Sequence, residues 1–274
     1  MRCMSHFLPQ SSRSFIAKFA RLYSYLCVPC EYLCAPCGKK ERISVCIVSI
    51  FFTLQLIGQA SCSGGGKTKN TKNDHEMTLL FTICQERSVY ERSDYGEPPQ
   101  FAIWLESKET GDIRTVFVTY RTATGNFEGK AECPVSLPIW IGAFREETGR
   151  NDFPVPRNPA PDAVTGATPQ KREFKVSVDI PKGSEWYYYV EMNVSADYTR
   201  EFPAVQDDWT IDSQGNGQPS IIYRGEISGI PGERSTPVLI GRSEQMYFSS
   251  EINPDLTGIK NAKDVFSVIN VACL

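Results

Sequence analysis

Apolar residues from Met77 onward recur at every second position, in short runs broken by polar turns. The clearest run spans residues 185–197. Trp186, Tyr188, Val190, Met192, Val194 and Ala196 fall on one face, and Tyr187, Tyr189, Glu191, Asn193, Ser195 and Asp197 on the other. A period of two is the signature of a strand. The first face is predicted to be core, and the second, polar and aromatic, to meet water or a ligand. Similar runs predict strands over 77–86, 100–107, 113–122, 173–180, 220–227, 236–241 and 266–272. Glu109-Thr110-Gly111-Asp112 is a turn signal that joins the second and third of these runs into a hairpin. Residues 137–147 break the period: Trp140 and Phe144 stand four apart, which predicts a short helix laid on the sheet. A helical turn is expected within 257–263. Many short strands with tight turns predict a mainly β chain, an antiparallel immunoglobulin-like β-sandwich with minor helices over residues 77–274. No internal repeat and no glycine-rich phosphate loop is visible.

The amino-terminal part follows another pattern. Lys39-Lys40-Glu41-Arg42 precedes an apolar run over 43–58, the order of a secretory n-region and h-region. Gln59-Ala60-Ser61-Cys62 follows and resembles a bacterial lipobox, with small residues before the cysteine. The resemblance implies lipidation of Cys62, which becomes the mature amino terminus. Residues 63–76, rich in Gly, Lys, Asn and Thr, form a flexible polar tether. The division expected is thus a signal region over 43–62, a tether over 63–76 and a sandwich over 77–274. Residues 1–42 are expected to be an upstream extension from a misassigned start. The alternatives are an uncleaved membrane anchor for the signal, and a cytoplasmic thiolate metal site for Cys27, Cys30, Cys34 and Cys37.

Charge and composition narrow the chemistry. A net charge of −3 supplies no basic field for nucleic acid. The chain has two histidines, His6 and His75, both outside the strand-forming region, which removes Ser-His-Asp, Cys-His and His-zinc chemistry from the body. Of ten cysteines only Cys84, Cys133 and Cys273 lie beyond Cys62, too few for a disulfide scaffold. Asp207, Asp208 and Asp212 do not have the spacing of an EF-hand loop and read as a solvated acidic loop.

One motif stands apart. Asp162-Ala163-Val164-Thr165-Gly166-Ala167-Thr168 lies in a proline-laced stretch, Pro154 to Pro169, predicted to be extended and exposed. The pattern D-x-x-T-G-A-T resembles the covalent FMN acceptor site of the flavin-carrying subunits of Na⁺-pumping quinone reductases and Rnf-type complexes. The resemblance implies that an FMN transferase links the flavin phosphate to the Thr168 hydroxyl, with Asp162 near the metal–phosphate, Gly166 and Ala167 leaving room for the enzyme, and Thr165 as a further cofactor-site residue of the motif. The alternative is a glycine turn whose threonines cap local backbone groups.

The body also resembles a family of predicted periplasmic bacterial proteins with an immunoglobulin-like sandwich. The resemblance rests on Ala102-Ile103-Trp104-Leu105-Glu106, Leu137-Pro138-Ile139-Trp140, the Asp162–Pro169 motif, Tyr189 to Ser195 and Gly217 to Tyr223. The Pro181-Lys182-Gly183 turn and the strand after it are similar to flagellar hook-capping proteins. Members of the periplasmic family accompany PepSY-type membrane proteins and extracytosolic flavin systems. The resemblances imply a lipid-anchored extracytoplasmic protein that carries electrons on covalent FMN, with Tyr187 and Tyr189 as stacking partners for the ring. The alternative is a non-catalytic adaptor for a membrane partner. Both precede a turnover enzyme, because Asp207 and Asp208 are adjacent rather than opposed as a glycosidase needs.

Overall fold

The computed structural model describes residues 75–130, 132–160, 164–166, 169 and 172–274. Cys62, the signal region, Asp162, Ala167 and Thr168 lie outside the described residues, as do Cys27, Cys30, Cys34 and Cys37. Ten strands form two sheets. They are β1 (Glu76–Gln85), β2 (Gln100–Ser107), β3 (Ile113–Thr119), β4 (Val164–Gly166), β5 (Glu173–Pro181), β6 (Glu185–Asn193), β7 (Ile221–Ser228), β8 (Arg234–Ser235), β9 (Val238–Arg242) and β10 (Phe266–Cys273). The helices are α1 (Arg87–Tyr90), α2 (Tyr120–Thr124), α3 (Pro138–Thr148) and α4 (Ala262–Val265). One sheet has the order β5-β1-β10-β8 and the other β4-β3-β2-β6-β7-β9. All pairings are antiparallel except the short one between β3 and β4. The body is therefore the antiparallel β-sandwich its alternating pattern predicts.

The inward faces interlock as the period requires. Phe81 and Ile83 of β1, Phe101, Ile103 and Leu105 of β2, Tyr188, Val190 and Met192 of β6, and Val271 of β10 share one core. Phe101 packs on Phe117 at 4.9 Å and edge-on to Phe174 and Phe266. Phe101 and Phe117, fully buried, each contribute about 1.5–3 kcal/mol of hydrophobic stabilisation, and the half-buried Phe174 less. A second core lies outside the six-stranded sheet. There Leu137, Trp140, Ile141 and Phe144 around α3 cover Ala102, Trp104, Val118 and Ile222. Trp140 and Phe144 do share a face, with ring centroids 5.5 Å apart.

Three expectations change. The second face of β6 does not meet water throughout: Glu191 is buried under the start of α3, and Asn193 under the 194–220 connection, to whose carbonyls it donates. The strand expected over 113–122 stops at Thr119, where α2 begins and ends at Gly125. Gly125 has φ +60, and a Cβ there would stand 2.2 Å from the Pro154 carbonyl oxygen, so only glycine fits. The strand expected over 236–241 is β9, displaced to Val238–Arg242, and a separate short strand, β8, precedes it. The chain leaves β8 in one sheet at Ser235 and enters β9 in the other at Val238, across Pro237, which has no N–H for a ladder.

The topology has a polarity. Chain segments 108–112, 182–184 and 229–233 are tight turns at one end, where His75 and Leu274 also lie. The connections 86–99, 120–172, 194–220 and 243–265 all leave and re-enter the strands at the other end, and α3 and residues around Ser250 run back over the outer sheet face. His75 and Leu274 thus lie at the end opposite the one from which the long connections leave.

Candidate functional site

The D-x-x-T-G-A-T motif contributes β4, the outermost strand of the six-stranded sheet. Val164, Thr165 and Gly166 pair in parallel with Phe117, Val118 and Thr119. The proline stretch before it is exposed but not extended throughout. Val155 and Asn158 exchange backbone hydrogen bonds of 3.2 and 2.8 Å, closing a turn around Pro156 and Arg157. Arg150 pins that turn through the carbonyls of Asn158 and Pro159 and pairs with Asp152. Its guanidinium holds the Asp152 carboxyl down to about 2. Tyr189 stands three strand positions from β4, about 14 Å along the sheet. Its ring lies parallel to Trp104, with centroids 5.1 Å apart and planes within 6°. Tyr187 lies under the Arg224 guanidinium at 3.9 Å and beside Lys108 at 5.0 Å. Both tyrosines therefore already have stacking partners within the protein.

The outer sheet face carries a groove of about 330 Å³ beside α3. Trp104, Glu106 and Tyr189 form its sheet side, Gly142 and Glu146 its helix side. Tyr189 donates its hydroxyl to Glu106 at 2.9 Å, and burial together with that carboxylate pushes its pKa to about 12. Gly142 admits the 243–265 connection against the helix, since a Cβ there would meet Ser250 at 2.7 Å. A second recess, about 450 Å³, lies between β3 and β5 and is lined by Arg114, Glu147 and Asp179. Glu147 accepts both the Thr115 N–H at 2.9 Å and its hydroxyl at 2.5 Å, sealing the β3 edge where β4 does not reach.

Glu191 is what seats α3. The helix begins at Pro138 after Leu137, which offers no side-chain cap. The orphan N–H groups of Ile139 and Trp140 donate to the two Glu191 oxygens at 3.2 and 2.6 Å. The Ser220 hydroxyl donates to Glu191 at 2.5 Å and contacts Ser243 at 2.7 Å. Ser220 has one proton, so Ser243 supplies the proton of that second contact. The carboxyl is wholly buried, and desolvation raises its pKa to about 7 despite these donors. A strand residue thereby serves as a helix cap, and the positive end of the helix faces the carboxylate.

The long connections are bound together by buried amides. Asn193 donates to the carbonyls of Asn216 and Gln218, while Gln218 and Asn261 donate to Asp197. Gln245 reaches the carbonyls of Gly217 and Pro203. Asp212, expected in a solvated loop, is instead buried and accepts the Gly217 N–H at 2.8 Å. Asp207 and Asp208 are exposed as expected. Burial pushes the Cys133 thiol, which contacts Asn216, up to about 12, so it supplies no thiolate. Cys84, Cys133 and Cys273 form no disulfide. Among the described residues no cluster of His, Cys, Asp or Glu is arranged for a metal, and no helix is long and apolar enough to cross a membrane.

The buried groups thus organise the scaffold, and the groups open to solvent suit recognition. Glu191, which titrates near neutrality, is sealed from solvent and cannot exchange a proton with an external substrate. Sequence reasoning passed over its role, although an acid inside an aromatic and aliphatic strand is a legible signal. It also passed over Trp209, the most exposed aromatic described, at 83%. Comparison with known protein families, curated proteins and solved structures finds no match.

Proposed function

We propose that this chain is a tethered binding module, an adaptor held outside the cytoplasm by lipid on Cys62, which engages a membrane partner through its long-connection end. The observation that carries the reading is the polarity of the sandwich. His75 lies at the end with tight turns, and the long connections leave and re-enter the strands at the opposite end. A rigid sandwich that displays its loops away from its attachment point places binding residues where a partner can reach them. The groove flanked by Glu106 and Glu146 adds a second contact surface on the sheet face.

The test uses the full-length protein in its own host. An epitope inserted at 213–214, in the long-connection end, is compared with the same epitope at 182–183, in a tight turn. Membrane proteins co-purifying from detergent extracts are quantified. The long-end insertion is expected to strip the partner and the tight-turn insertion to keep it. Retention with both insertions, or loss only with the second, removes the reading.

A second reading is covalent flavinylation at Thr168 for electron transfer, with a PepSY-type or other membrane redox protein as partner. It is favoured by the position of Val164–Gly166 on the outermost strand, where a transferase approaches backbone that has a neighbour on only one side. The flavin would supply the redox chemistry, and the sandwich would hold it outside the cell. Co-production with an FMN transferase is expected to yield yellow protein whose intact mass includes FMN, and Thr168→Ala to lose both. Colourless wild-type protein of unmodified mass rules this second reading out.

A further inference from the structure

Among the described residues, three non-glycine residues have left-handed backbone: Ala196, Trp209 and Met246. All three lie in the long-connection end. Trp209 is the least expected of them. Val205 and Ile211 form an antiparallel bridge, and Gln206 N–H donates to the Thr210 carbonyl at 2.8 Å. Trp209 N–H donates to the Gln206 carbonyl at 2.9 Å, which closes a tight turn and leaves Trp209 at φ +67. Glycine or asparagine takes such a position with least strain, and a bulky residue there is an outlier. The turn holds an indole in water at 83% exposure.

The surroundings define the surface. Val205 at 45% and Ile211 at 64% exposure share one side of the bridge. Gln206 contacts Gln245, which ties residues 203–206 to the connection carrying exposed Tyr247. Asp207 and Asp208, both exposed, directly precede Trp209 in the turn. Asp208 accepts the Thr210 N–H, which holds its pKa below the usual value and keeps it ionised.

Resting on the binding reading above, we propose that the 205–211 hairpin is the knob that this domain inserts into its partner. The partner is a protein with an apolar pocket for the indole and a rim of Lys or Arg facing Asp207 and Asp208. Charge complementarity selects a protein over a lipid surface, because the two carboxylates repel anionic headgroups. Exposed tryptophan is the side chain most often found at the centre of such interfaces, with rim charges governing association rate.

The test again uses the full-length protein in its host membranes. A photo-crosslinking amino acid replaces Trp209, or, as a control, Ile230 beside a tight turn at the opposite end. Trp209→Gly is expected to lower capture of the partner about thirtyfold or more while the melting temperature is unchanged or raised, because glycine fits the backbone. Asp207→Asn with Asp208→Asn is expected to weaken capture at low salt and to reduce its salt sensitivity. The crosslink from position 209 is expected on a protein segment with apolar residues beside Lys or Arg. Capture within threefold of wild type for Trp209→Gly overturns the inference. So does a crosslink to lipid, to a second copy of this chain, or no stronger than that from position 230. If Trp209→Gly keeps the partner while the 213–214 insertion strips it, the knob fails alone. If both keep it, the binding reading fails with it.

Discussion

Replacing Glu191 with Gln tests the seat of α3. In the folded protein the carboxyl has a pKa raised to about 7, mainly by desolvation; its ordinary value is 4.5. A raised pKa means that the folded state holds the proton more tightly than the unfolded state. The associated stability is fully present below the unfolded value and is lost as pH rises through the folded value. The difference of about 2.5 units corresponds to about 3 kcal/mol, and most of it falls between pH 5 and 8. Gln imitates two contacts of the protonated acid: its oxygen accepts the Trp140 N–H and its amide donates to Ser220, while the longer Ile139 N–H contact is lost at every pH. At pH 5 the wild type should therefore melt at or slightly above the variant. By pH 8 the wild type should have lost about 2–3 kcal/mol relative to Glu191→Gln, about 5–10 °C for a domain of this size. The assay is thermal unfolding by circular dichroism across pH 5–8, with the difference between the two proteins as readout. That difference cancels other titrating groups such as Asp197, whose pKa burial also raises. Parallel curves, or a wild type that gains on the variant as pH rises, refute the reasoning.

Other outcomes follow from the same geometry. Trp209→Gly should stabilise the domain by about 0.5–1 kcal/mol, seen as a higher urea midpoint, because it relieves a left-handed backbone. Gly125→Ala should destabilise it by about 2 kcal/mol or more, since both the positive φ and the Pro154 carbonyl oppose a Cβ; limited proteolysis should then cut sooner within 154–160. Trp104→Ala should cost about 3–5 kcal/mol by opening a cavity beneath α3, measured by chemical denaturation. The Cys133 thiol should resist alkylation at pH 8 in folded protein and react on unfolding, because burial pushes it to about 12; mass mapping of labelled peptides checks this.

Much of the architecture was legible in the chain itself. Alternation in β2, β5 and β6 names residues that share a face, since Cβ direction reverses at each strand residue. The Glu109–Asp112 and Pro181–Gly183 turns and the Trp140–Phe144 spacing in α3 are likewise local. The sandwich follows, because one-sided strands must bury their apolar faces against each other. The expectation of a tether after Cys62 is read from sequence alone, as is the D-x-x-T-G-A-T pattern. What covers a face is not local. Glu191 looks solvent-facing until α3, some fifty residues earlier in the chain, is laid across it, and Asn193 until the 194–220 connection folds over it. The switch between sheets at Pro237 depends on which strand edges remain open. That all long connections leave the strands at one end follows from strand order and direction, and the left-handed Trp209 from hydrogen bonds closed across its turn. Period assigns side chains to faces; only tertiary packing decides which faces are sealed, which carboxylate caps a helix, and which indole is left in water.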